Sequence, residues 1–125
     1  MLVDTDVLIW YMRGNGRAFK IIEDSGSFSI SVITYIELVR GMRNKQELSE
    51  LRKAIRNWKC TIIHINEEIS SKAMFYIERH FLSHSLQLAD ALIATTAIVN
   101  GLTILTANDK HFKIITDVNV KKFRP

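Results

Sequence analysis

The feature that most constrains the fold is an alternation along the chain. Short apolar, β-prone runs recur, and each is followed by a stretch with helical spacing. "MLVDT" (1–5) reads as a buried strand. Helices over 6–12 and 17–24 follow, separated by "RGNG". "SFSISV" (27–32) alternates as a strand, and "TYIELVRGM" (34–42) turns helical. "KQELSELRKAIRNW" (45–58) lines Leu48, Leu51, Ile55 and Trp58 along one helical face. "CTIIHI" (60–65) is strand-like and "EEISSKAMFYIERHF" (67–81) helical. "QLADALIATTAIVNG" (87–101) is an apolar helix with Asn100-Gly101 as its stop. "LTIL" (102–105) is a buried strand, and "VNVKKF" (118–123) a last edge strand. The single proline is Pro125, so nothing interrupts these elements. The pattern implies one α/β domain over residues 1–125, a sandwich with a mostly parallel central sheet.

Acids follow the strands. Asp4 ends the first strand, where a bare buried carboxylate costs several kcal/mol. Asp6 sits on the turn into the next helix. Glu37 lies one turn into the helix after the second strand. Asp90 opens the most apolar helix, and Asp109 follows "LTIL" in "LTANDKHF". In a parallel sheet all these strand ends face one edge, where ligands of such sheets bind. Carboxylates gathered there repel unless protonated or bound to cations. Hard divalent ions, Mg²⁺ or Mn²⁺, suit an all-oxygen set.

Each acid also has a structural reading. "TYIE" matches a capping box, with Thr34 as N-cap and Glu37 three residues on. Asp90 suits a helix N-terminus, and Asp109 or Asn108 suits the cap of a short helix. The four histidines, 64, 80, 84 and 111, lack metal-ligand spacing and read as surface or satisfied residues. Trp10, Trp58, Tyr76 and Phe81 read as core.

Charge adds a partner class. The chain carries 17 basic and 13 acidic residues, for a net charge of +4. Setting five acids aside as a site leaves eight acidic residues against 17 basic ones, a basic shell suited to a polyanion. Cys60 is the only cysteine, so no internal disulfide forms, and a reducing cytoplasm is expected. No apolar run approaches the ~20 residues that span a bilayer, so no membrane role is expected.

Taken together, "LVDTDVLI", "SVITYIELVRG", "LADALIATTA" and "LTANDKHF" resemble the PIN-domain ribonucleases, specifically VapC-type toxins of type II toxin–antitoxin pairs. The resemblance spans essentially the whole chain. It implies a Rossmann-like three-layer sandwich and a Mg²⁺-dependent endoribonuclease, with Mn²⁺ as an alternative cofactor. It also implies a homodimer, and inhibition by a small cognate antitoxin in a larger assembly. Carried over residue by residue, it makes Asp4, Glu37, Asp90 and Asp109 the catalytic and metal-holding acids. Thr5, Asp6, Thr106 and Asn108 become additional site residues, and Arg40, Arg43 and Lys110 hold the RNA backbone. Asp6 departs from the family, where Asn or Ser is usual. The fourth acid is ambiguous: counting from Thr106 selects Asn108 and counting back from Phe112 selects Asp109. Asp109 is favoured because an amide is not an anionic ligand.

Three rivals remain at this point. "DTDVL" resembles the D-x-D-x-[TV] loop of haloacid-dehalogenase phosphatases, with Asp4 as nucleophile, although no late Gly-Asp pair is present. A phospho-receiver would need an Asp ending its central strand, and "CTIIHIN" ends in Asn66. A non-catalytic α/β binding module would tolerate loss of the acids.

Overall fold

The computed structural model describes residues 1–83 and 85–125; His84 lies outside the described residues. The chain builds β1 (Leu2–Val3), α1 (Thr5–Met12), α2 (Gly16–Ser25), β2 (Phe28–Ser31), α3 (Val32–Arg40), α4 (Lys45–Asn57) and β3 (Cys60–Ile63). It continues with α5 (Glu67–Arg79), α6 (Leu88–Val99), β4 (Ile104–Thr106) and β5 (Val120–Lys122). Short 3-10 turns cover Phe81–Ser83 and Asp109–Phe112.

The five strands form one sheet in the order β3-β2-β1-β4-β5, with every pairing parallel. β1 is therefore the centre, and "CTIIHI", the strand treated as central in the receiver comparison, lies at one edge. The chain winds outward from β1 through β2 to β3, then returns to β4 and β5 on the other side. The order reverses between β1 and β4, which is where such sheets open a crevice.

Successive strand residues face opposite layers. Val3 and Leu105 join Val7, Leu8, Ile30, Leu38 and Leu51 under α1 to α4. Leu2 and Ile104 join Tyr76, Ile93, Ala97 and Phe112 under α5 and α6. Helix α6 is buried along most of its length because its inward positions are Ala91, Ala94 and Ala97, which let backbones approach closely. The buried hydroxyls of Thr95 and Thr96 donate to the Ala91 and Leu92 carbonyls at 2.8 and 2.6 Å, so they enter the core without an unpaired donor. Phe81, expected in the core, is 63% exposed.

The ends of the elements are set by side-chain caps. Asn15, Asn44 and Asn66 accept backbone N–H groups at the starts of α2, α4 and α5. Helix α3 begins two residues before the expected start. Ser31, not Thr34, is its N-cap, accepting from the Ile33 N–H at 3.1 Å. The "TYIE" capping box does not form, which removes the structural reason for an acid at position 37.

Candidate active site

Asp4 stands where β1 meets α1, 8% exposed. Its Oδ1 accepts the Thr5 N–H at 2.8 Å, and its Oδ2 accepts the Thr106 hydroxyl at 2.8 Å. The second bond joins the ends of β1 and β4 across the crevice. Asp6, one helical step on, accepts the Ala107 N–H at 3.0 Å through Oδ2, and this oxygen also lies 3.3 Å from the Thr106 hydroxyl. Its other oxygen, Oδ1, is buried with no hydrogen-bond partner. Glu37 is exposed on α3, and its Oε1 accepts the Thr5 hydroxyl at 2.8 Å. Thr5 thereby ties α1 to α3. Asp90 occupies the first turn of α6, where the helix N-terminus favours negative charge.

The electrostatics record how close these acids stand. Burial, and then the charge of Asp6, push the Asp4 carboxyl from its ordinary 3.8 up to about 6; Asp90 adds to the rise, and the bonds from Thr106 and Thr5 oppose it. Asp90 is raised by burial and by Glu37, while His111 opposes the rise. Asp4, Asp6, Glu37 and Asp90 thus share one field. Asp109 has a cation beside it: its Oδ1 lies 3.8 Å from Lys122 Nζ on β5.

The 3-10 turn presents Asn108 and His111. His111 Nδ1 lies 3.8 Å from Asp90 Oδ1, and His111 Nε2 lies 3.0 Å from Asn108 Nδ2. The sequence reading set His111 aside. A signal was present in the spacing: a 3-10 turn eclipses residues i and i+3, so Asn108 and His111 share a side. Of the expected RNA-holding residues, Arg40 and Lys110 are exposed, while Arg43 is engaged with Glu47 at 2.9 Å.

The donor set suits a hard divalent cation. Among the described residues, no group of three or more Asp, Glu, His or Cys side chains stands placed to hold a metal ion. Mg²⁺-type sites use one or two carboxylates and keep several waters, so a closed cage is not what such an ion requires. The unpartnered Asp6 oxygen and the raised Asp4 carboxyl are the marks of an acidic pocket short of positive charge.

A model of the PIN domain family matches residues 1–118. The chain belongs to the PIN-domain family. It is 36% identical over 118 residues to ribonuclease VapC10 of Mycobacterium tuberculosis, across 90% of this chain and 85% of that one. It is 30% identical to ribonuclease VapC1 of Methanocaldococcus jannaschii, across 97% of this chain and 85% of that one. Among solved structures, a toxin–antitoxin complex from Klebsiella pneumoniae aligns with a TM-score of 0.75 and 28% identity over 98% of both chains. VapBC2 from Rickettsia felis, bound to promoter DNA, shares the fold with a TM-score of 0.85 at 19% identity over 98% of both chains. PIN-domain ribonucleases of this kind generally depend on a divalent metal ion. No helix among the described residues of this PIN domain is long and apolar enough to cross a membrane.

Proposed function

We propose that this PIN domain is a Mg²⁺-dependent endoribonuclease toxin, held in check by a small cognate antitoxin. The observation that carries the reading is the pocket at the β1/β4 crossover, where Asp4, Asp6, Glu37 and Asp90 share one field and Asp4 is raised to about 6. Relatives at 30–36% identity named as ribonucleases support RNA as the substrate.

Asp4 and Asp90 supply the anionic oxygens that would hold the cation, with Asp6 Oδ1 within the same buried region. When bound, the cation supplies water activation and offsets charge on the scissile phosphodiester. Glu37, fixed through Oε1 by Thr5, has Oε2 left to accept a hydrogen bond or proton from the attacking water. Thr106 holds Asp4 in place and Thr5 orients Glu37. Arg40 and Lys110, exposed beside the cleft elements, are the backbone-holding cations of this reading.

The phosphatase alternative fares less well. A PIN-domain model matches residues 1–118, and the relatives at 30–36% identity are named as ribonucleases, so the comparisons do not favour a phosphatase.

A groove of about 710 Å³ supports the inhibitory partner. It runs between α1, α3 and α4, lined by Ile9, Met12, Leu38, Met42, Leu51 and Trp58, and Glu37 stands on its wall. An amphipathic helix laid there would reach the acidic pocket with a basic side chain, and a guanidinium suits a carboxylate cluster best. For the homodimer, exposed Met74, Phe75, Phe81 and Leu82 on α5 and the turn after it supply the apolar face.

The test is cleavage of total cellular RNA by the purified chain. Discrete fragments are expected with Mg²⁺ and none with EDTA, and Asp4→Asn and Asp90→Asn should each lose activity by orders of magnitude. Equal cutting in EDTA, or full activity of both variants, overturns the reading.

A further inference from the structure

Every acid of the pocket except one is held by a donor from the protein. Asp4 is held by the Thr5 N–H and the Thr106 hydroxyl, Asp6 by the Ala107 N–H, and Glu37 by the Thr5 hydroxyl. Among the described residues, the Asp90 carboxylate receives no hydrogen bond within 3.5 Å. The group beside it is His111, with Nδ1 at 3.8 Å from Asp90 Oδ1.

The imidazole is not loosely placed. It sits on the 3-10 turn Asp109–Phe112, anchored by the next residue, Phe112, which is fully buried beneath α6. Its other nitrogen, Nε2, lies 3.0 Å from Asn108 Nδ2. An amide nitrogen only donates, so Nε2 accepts. A ring accepting at Nε2 carries hydrogen on Nδ1, the nitrogen facing Asp90. The sequence Asn108–His111–Asp90 is therefore a directed relay: the amide fixes the ring, and the ring aims a donor at the carboxylate. Closing 3.8 Å to a hydrogen bond of about 3 Å takes only a small rotation of an exposed ring and a half-buried carboxylate.

We infer that His111 is a positioning residue for the cation site: its Nδ1–H holds Asp90 Oδ1 and leaves the other Asp90 oxygen for the metal, with Asn108 setting the ring. This rests on the reading of Asp90 as a metal-holding residue given above. Residues that orient a metal's ligands typically change metal affinity 10- to 100-fold when removed. His111 takes this role in the segment where the sequence suggests a fourth acid, and Asp109 faces Lys122 instead.

The experiment is direct Mn²⁺ binding by calorimetry to the full chain at pH 8, without RNA, on seven proteins. These are the unsubstituted chain, Asp90→Asn, His111→Ala, His111→Asn, His111→Gln, Asn108→Ala and the Asn108→Ala, His111→Ala double variant. An asparagine at 111 puts an N–H where Nδ1 was, whereas glutamine puts one where Nε2 was. His111→Ala and His111→Gln should bind Mn²⁺ about tenfold more weakly, and His111→Asn should return to within about threefold of the unsubstituted chain. Asn108→Ala should weaken binding alone but add nothing in the His111→Ala background. RNA cleavage at subsaturating metal should follow the same order. Unchanged or tighter binding by His111→Ala overturns the inference, as does a His111→Asn no better than His111→Ala. Asp90→Asn separates the two claims: if it binds Mn²⁺ normally, the reading of Asp90 falls; if it alone fails to bind, only the role of His111 falls. An unchanged unfolding midpoint in EDTA ties the weakened binding to the site; if the alanine variant melts early, the asparagine–glutamine contrast decides.

Discussion

A carboxylate kept for function should be a burden to the empty fold, and Asp4 is where this is measurable. Raising its carboxyl from 3.8 to about 6 corresponds to about 3 kcal/mol of penalty for the ionised form, since each pH unit is worth 1.36 kcal/mol. The hydrogen bonds from Thr5 and Thr106 already oppose that rise, so the figure is net of them. The folded chain binds the proton more tightly than the unfolded one. Stability without metal should therefore fall as pH rises from about 4 to about 6, and level off above. Asp4→Asn keeps an oxygen to cap the Thr5 N–H and removes the charge. It should be neutral near pH 4 and stabilising at pH 7.5, by about 1–2 kcal/mol after relaxation of the site. Urea unfolding in EDTA at both pH values reads this directly. Metal should reverse the ranking, because a cation that binds only the folded state stabilises the unsubstituted chain and not the variant. A variant less stable than the parent by more than about 1 kcal/mol at pH 7.5 in EDTA would make Asp4 a structural cap and refute the reasoning.

Three further outcomes are expected. Asp109→Asn should leave RNA cleavage within a few-fold of the parent, because its carboxylate faces Lys122 at 3.8 Å; a loss of orders of magnitude would restore it as the fourth acid. Phe75→Asp with Leu82→Asp, at sites 55% and 77% exposed, should turn a dimer into a monomer by light scattering without unfolding it; an unchanged mass would move the dimer face elsewhere. Trp58→Ala in the groove should release a co-expressed antitoxin at least tenfold more readily in pull-down competition, a loss of about 1.4 kcal/mol or more, while retained affinity would exclude this groove as its seat.

The sheet was legible because its strands are short, apolar and separated by clear helical periodicity, and because β1 carries its acid at its end. Edges moved by a residue or two where capping chemistry decided. Ser31 outcompeted Thr34 as the α3 cap because the strand runs straight into the helix, leaving Thr34 in the interior with its hydroxyl unpartnered. Phe81 reads as core by periodicity, yet α5 ends at Arg79 and the 3-10 turn after it swings the ring outward. The strand order was not legible at all. Nothing local in "CTIIHI" says that it is an edge, since that depends on which way the chain crosses after β3.

The acids illustrate the same division. Asp4 and Glu37 each follow their strand by a short path, and Asp90 opens α6, the helix that leads into β4, so the parallel order brings these three acids toward one edge of the sheet. The segment after β4 has no such guarantee. It leaves the sheet in a 3-10 turn, where a shift of one residue rotates a side chain by about 120°. Asp109 and Asn108 are neighbours in sequence, yet one faces β5 and the other, through His111, faces α6. Preferring Asp109 rests on ligand chemistry, an anion over an amide, and the local sequence does not carry that rotation. What decides the turn is the burial of Phe112, 1% exposed against Ile93 and Ala97 in the α6 layer. Once that ring is inside, Asn108 and His111 are carried to the cleft and Asp109 to the lysine. The residue that fixes the chemistry of this corner is thus an apolar one.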